Sequence, residues 1–146
     1  MTLQIVDTPD NDGQTSLMIV GVGVDMVEVE RIRKALEDLR IGRRFRERVF
    51  TGSEIHYCER KRRGRYESYA GRFAAKEAVM KALGRGWGSK VGWLDIEVAR
   101  ARSGKPEIVL HRKTARLAEE LGIRRWFVSI SHTEQHGLAY VIAQSE

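Results

Sequence analysis

LMIVGVGVDMVEVERIRKALEDL, Leu17 to Leu39, changes its period partway along, and that change decides the fold. Val20, Val22 and Val24 alternate with Gly21 and Gly23, the period of a strand whose backbone another element approaches closely. Further on, Val29, Ile32, Leu36 and Leu39 recur at helical spacing, while Asp25 and Glu28 stand three apart as in a capping box. The expectation is a strand ending at Asp25, a tight junction, then a helix. Asp25 keeps two readings: a helix cap, or a polar group projected from a strand end into a crevice.

Upstream, MTLQIVDTPDNDGQTS keeps no period and is rich in turn formers, so Met1 to Ser16 read as a mobile extension before a single domain over residues 17–146. Downstream, IGRRFRERVFTGSEIHYCERKRRGRYESY is strongly basic and reads as short helices and loops, with Thr51, Ser53 and Glu54 marking a helix start. In RFAAKEAVMKALG, Arg72 to Gly84, residues Ala74, Ala75, Ala78, Val79 and Ala82 share one helical face, small enough for close backbone approach. Gly84 suits the end of that helix. After the glycine-rich RGWGSKVGW come two strands around a Ser-Gly-Lys-Pro turn, a short amphipathic helix in KTARLAEELG, and a hairpin in WFVSISHTEQHGLAYVIA. The order β-α-α-α-β-β-α-β-β predicts an α+β fold with a mainly antiparallel sheet packed with helices.

A chain of 146 residues, 42% hydrophobic, suits one core that folds without staples. It has no apolar run long enough to cross a bilayer and no signal-like leader, which points to the cytoplasm. One cysteine, Cys58, excludes an internal disulfide and a cysteine-rich zinc site, and reads as an inert thiol. The formal charge of +6 asks for a polyanionic partner: nucleic acid, a membrane surface or an acidic protein.

Glu77 and Lys81 are four apart, the order of a helix-surface ion pair contributing about 0.2–0.5 kcal/mol. Yet Tyr69, Phe73 and Met80 border them, which places the charges in a cleft or interface. Asp25 and Glu77, on separate elements among lysines and arginines, have the character of a hard-cation site facing phosphate oxygens, with Lys76 and Lys81 meeting the remaining charge. GRGWGSK lacks the pattern of a nucleotide-hydrolase loop, and SISH lacks a nucleophile elbow. The run Arg60 to Arg65 is either a solvated loop or an RNA-binding patch with Tyr57, Tyr66 and Tyr69 as stacking groups. Arg31, Arg43, Arg44, Arg46 and Arg48, with Phe45 interposed, suit an acidic helix equally well.

Two ordered motifs, VGVGVDMVEVERI (Val20–Ile32) and RFAAKEAVMKALGRGWG (Arg72–Gly88), resemble the small holo-[acyl-carrier-protein] synthases of the 4′-phosphopantetheinyl transferase superfamily. FRERVFTGSE, GKP and FVSISHT follow the same family order, so the likeness spans Met18 to about Ala143. It departs at Phe127, where many members have histidine. The resemblance implies transfer of the phosphopantetheine arm of coenzyme A to a serine of apo acyl carrier protein, with release of adenosine 3′,5′-bisphosphate, in support of fatty acid biosynthesis. Asp25 and Glu77 are then the Mg2+ ligands, Lys81 neutralises charge on the leaving phosphate, and Glu77 accepts the serine proton. Lys81, Arg72 and Lys90 are implied contacts to coenzyme A phosphates, and Arg31, Arg44, Phe45 and Arg48 the docking positions for the acidic carrier. This accounts for the positive charge without nucleic acid or a membrane. It also implies a homotrimer with active sites between protomers. An RNA-binding module and a catalytically silent relative that only binds carrier protein are the rival expectations.

Overall fold

A computed structural model describes residues 16–145, so the extension read over Met1 to Ser16 lies, apart from Ser16, outside the described residues. Strand β1 (Ile19–Glu28) leads into helices α1 (Val29–Glu37), α2 (Gly42–Val49), α3 (Gly52–Glu59) and α4 (Arg65–Leu83). A single 3₁₀ turn (Trp93–Asp95) precedes the hairpin of β2 (Ile96–Arg100) and β3 (Pro106–Leu110). Helix α5 (Arg112–Glu120) precedes the hairpin of β4 (Arg125–His132) and β5 (His136–Gln144). Both sheets are antiparallel, β1-β5-β4 and β2-β3, which makes the fold α+β as the sequence predicts.

Helix α4 is the axle, with fourteen of its 19 residues buried: it packs on all three strands of the larger sheet and on β2 of the smaller one, whose other strand, β3, meets β4 directly. What lets it lie so close to the larger sheet is a seam of missing side chains. A methyl carbon added at Gly21 or Gly23 would overlap the carbonyl oxygen of Ala82 or Ala78, so strand and helix meet backbone to backbone. Gly137 on β5 continues the seam against Ala70 and Gly71. Opposite, Phe73 stacks on Trp93 at 5.2 Å, and Phe50 meets Tyr69 edge-on at 4.8 Å. The helix ends at Gly84, whose φ of 72° is the left-handed cap its sequence position calls for.

Several local expectations yield to tertiary pairing. β1 does not end at Asp25; it continues to Glu28 because β5 keeps pairing with it, Asp25 opposite Ala139 and Glu28 opposite His136. No Asp25–Glu28 capping box forms, since Glu28 is the residue before the helix and caps it with no side-chain bond. The amide of Val29 instead donates to the carbonyl of Gln135 in the β4–β5 turn, 2.8 Å away. α1 stops at Glu37 and leaves Leu39 fully exposed, because Asp38 Oδ1 accepts from the amides of Arg40 and Ile41 and turns the chain. The basic stretch holds one helix more than the expected order, α2, and α4 begins at Arg65, seven residues ahead of the alanine-rich motif. The Thr51 start is confirmed in full: Thr51 and Glu54 form a reciprocal capping box on α3.

Candidate active site

The glycine seam brings β1 against the last two turns of α4, and with them Asp25 against Lys81 and Glu77. Lys81 Nζ donates to Asp25 Oδ1 at 3.0 Å and to the Val24 carbonyl at 2.9 Å. This ammonium therefore bridges to the strand instead of pairing with Glu77 four residues back along its own helix. Glu77 is half-buried; burial pushes its carboxyl above the ordinary glutamate range, and the nearby Asp25 charge pushes it further. Lys81 and Arg31 pull in the opposite direction, which identifies the four groups as one neighbourhood.

Two carboxylates held close enough to repel, from a strand and a helix that are mutually fixed, form an oxygen donor set with unbalanced negative charge. A divalent cation would relieve that repulsion, and a hard ion such as Mg2+ takes one or two protein carboxylates and leaves its other positions to water and phosphate. Among the described residues no group of three or more His, Cys, Asp or Glu is placed to hold a metal by itself. Asp25 and Glu77 supply two carboxylates, within the number that such an ion takes from protein.

Lys76, expected to meet phosphate beside Lys81, faces the other way. It is fully buried against Glu54 at 2.8 Å, because it emerges from the side of α4 that packs on α3 and β2. No phosphate reaches it. Cys58 is likewise sealed in the core, where burial pushes its thiol up to about 12, so it is inert as expected.

Arg72 lies five residues before Glu77, about 7.5 Å along the axis and on a different side of α4. It is only 7% exposed, its guanidinium sits 3.9 Å from the centroid of the Tyr57 ring, and its buried Nε has no partner among the described residues. It helps line a cavity of about 150 Å³ together with Tyr57, Lys61, Arg100, Ile130 and His132. Arg100 and Lys61 also lie over Tyr57, at 4.5 and 4.8 Å, so three cations surround one ring at the mouth of a polar cavity. Sequence reasoning missed this cluster. Its walls come from α3, α4, β2 and β4, and the only local signal was the alternation in SISH that sends Ile130 and His132 to one side.

Lys90 is exposed on the glycine-rich connection, and its side chain makes no hydrogen bond or ion pair among the described residues. The structure brings it to neither Asp25 nor Arg72 by any direct contact. Arg31, Arg44 and Arg48 are exposed and carry no ion pair among the described residues, whereas Arg33, Arg43 and Arg46 pair with Glu30 and Glu37, Glu47 and Glu59 respectively. Phe45, expected to dock the carrier beside Arg31, Arg44 and Arg48, is half-buried, edge-on to Phe50 at 6.2 Å and tilted against Phe73 at 6.4 Å. Its ring packs among core aromatics, while α2 as a whole lies against α1 and the 3₁₀ turn.

A model of the 4′-phosphopantetheinyl transferase superfamily matches residues 21–141. The holo-[acyl-carrier-protein] synthase of Solibacter usitatus is 51% identical over 128 residues, covering 88% of this chain and 100% of that protein. Among solved structures, the holo-[acyl-carrier-protein] synthase of Neisseria meningitidis matches with a TM-score of 0.77 at 34% identity, over 86% of this chain and 98% of that one. The Helicobacter pylori holo-[acyl-carrier-protein] synthase in complex with coenzyme A matches with a TM-score of 0.72 at 34% identity, over 84% of this chain and 98% of that one.

Proposed function

The chain belongs to the 4′-phosphopantetheinyl transferase superfamily, and from that premise we propose that it transfers the 4′-phosphopantetheine group of coenzyme A to a serine of apo acyl carrier protein. The products are holo acyl carrier protein and adenosine 3′,5′-bisphosphate, in support of fatty acid biosynthesis. The observation that carries the reading is the meeting of Asp25, Glu77 and Lys81 across the glycine seam.

In the reaction the serine oxygen forms a bond to the phosphorus that bears the pantetheine arm, and the bond from that phosphorus to the bridging pyrophosphate oxygen breaks. Glu77 takes the serine proton, directly or through one water. Lys81, half-exposed, moves its charge from Asp25 to the leaving phosphate. Asp25 and Glu77 would hold Mg2+, which supplies charge neutralisation of the pyrophosphate when bound. The cavity under Arg72 takes the nucleotide end: its unpartnered Nε and the cations around Tyr57 suit a phosphate and a flat base. Lys90, exposed on the glycine-rich connection, is a further contact for the coenzyme A phosphates.

Arg31, Arg44 and Arg48 receive the acidic carrier, and their lack of ion-pair partners among the described residues supports that role. The stacking groups of an RNA-binding surface are otherwise engaged, with Tyr69 1% exposed, Tyr57 covered by cations and the Tyr66 hydroxyl donating to Glu37. A homotrimer is supported by the outer face of the larger sheet, which leaves Val22, Val24, Met26, Phe127, Leu138 and Tyr140 exposed together. It is supported too by the separation of the Arg72 cavity from Asp25 around α4, so that one protomer offers the cavity and its neighbour the carboxylates. Phe127, on that outer face, is then an assembly residue rather than a nucleotide contact.

Intact-mass spectrometry of apo acyl carrier protein incubated with the protein, coenzyme A and Mg2+, with a chelator control, tests the activity. A metal-dependent gain of one phosphopantetheine mass is expected; no gain with several carrier proteins overturns it.

A further inference from the structure

The pair Lys76–Glu54 is fully buried, adjoins the site and takes no part in the reaction described above. Lys76 Nζ donates to Glu54 Oε1 at 2.8 Å, to the Trp93 carbonyl at 3.0 Å and to the Ile96 carbonyl at 2.7 Å. All three ammonium protons are thus used. Glu54 is equally committed: Oε1 accepts from the Thr51 amide at 2.7 Å and Oε2 from the Val98 amide at 2.9 Å. One ammonium and one carboxylate thereby tie α4 to the start of α3, to the 3₁₀ turn and to β2.

A helix that meets β1 through glycine and alanine has a nearly smooth contact there, with few side-chain ridges to key its rotation. The opposite side supplies the key. Directional bonds with fixed acceptors resist rotation as dispersion contacts do not, and the next residue after Lys76 is Glu77, about 100° round and 1.5 Å along. A turn of α4 at Lys76 is carried whole to Glu77.

We infer that Lys76 is a positioning residue: held by Glu54 and two carbonyls, it sets the rotation of α4 at which Glu77 faces Asp25. The inference rests on the proposed metal-binding role of those two carboxylates. Its signature is a loss of cation affinity in a protein that is still folded, which a purely structural ion pair does not produce.

The test uses the full chain, Lys76→Met, and Mn2+ as probe, titrated by electron paramagnetic resonance without coenzyme A, alongside circular dichroism and carrier-protein affinity. Expected is a fall in Mn2+ affinity of about tenfold or more, with carrier affinity unchanged because its arginines lie on α1 and α2. A folded Lys76→Met with wild-type Mn2+ affinity overturns the inference. If that variant does not fold, Glu54→Gln, which keeps both carbonyl bonds of Lys76, is read in the same way and by the same criterion. Glu77→Gln serves as the control for loss of the site itself. Should the wild type take up no Mn2+, the metal reading fails separately, and the positioning role is read from kcat per folded protomer, where an unchanged value overturns it.

Discussion

The two faces of β1 invert the usual relation between side-chain size and burial. Toward α4 the strand presents Gly21, Gly23, Asp25 and Val27; away from it stand Val22, Val24 and Met26, each about half exposed or more. The inner face gives up side chains so that two backbones touch, and that contact places a carboxylate beside α4. The outer face keeps its apolar side chains exposed. On the proposed reading, chemistry and assembly sit back to back on a strand ten residues long.

The largest effect on the inner face comes from Glu77→Gln. Transfer activity should fall by about 10²–10⁴-fold, the range for losing a general base, measured by carrier modification. The fold should not suffer. Glu77 has a folded-state pKa raised above its unfolded value, so its contribution to stability is complete below the unfolded value and is lost as pH rises through the folded one. Glutamine resembles the protonated form, so at neutral pH and without metal the variant should melt no lower than wild type; a clearly lower melting temperature would contradict this account of the site.

Next in size is Gly23→Ala, which drives a methyl group into the Ala78 carbonyl. Because the obstacle is backbone, the cost should reach the upper end of about 1–3 kcal/mol or exceed it, seen in urea denaturation, and activity should fall as Asp25 and Glu77 are moved apart. The matching change on the outer face, Val22→Ala, should alter the stability of an isolated protomer by no more than about 0.5 kcal/mol. Equal costs on the two faces would erase the distinction. Charging the outer face, with Val24→Asp and Met26→Asp together, should yield folded protomers of lower mass by light scattering, whereas an undisturbed assembly would place the interface elsewhere.

The smallest expected effect concerns pH. In the metal-free protein Glu77 should titrate above the ordinary glutamate range, read from its side-chain carboxyl resonance. Arg31 helps hold that value down, and Arg31→Ala should move the titration toward higher pH. A titration that does not move would remove Arg31 from the neighbourhood of Glu77.

Legibility in the sequence followed the distance over which each feature is decided. The Thr51–Glu54 box could be read because both partners lie within one turn, and its geometry needs nothing else. Asp25 and Glu28 have the same spacing, yet β5, more than a hundred residues later, claims them for a strand. Asp25, Glu77 and Lys81 were legible as candidates because their motifs are compact, though the partner of Lys81 was not. Lys76 was misjudged for a related reason: its carboxylate, Glu54, sits 22 positions back, and nothing local marks which side of α4 is sealed. The cluster around Tyr57 needed four elements brought together, and no spacing encodes that.

The glycine seam also bears on how the site behaves in time. Side-chain contacts have rotamers, and a distance built on them spreads as the rotamers interchange. A contact of carbonyl against α-carbon has none to sample. The separation between the strand that carries Asp25 and the helix that carries Glu77 is therefore set by the van der Waals contact of backbone atoms and should vary little with time, which leaves the rotation of α4, keyed by Lys76, as the freedom that decides how Glu77 faces Asp25.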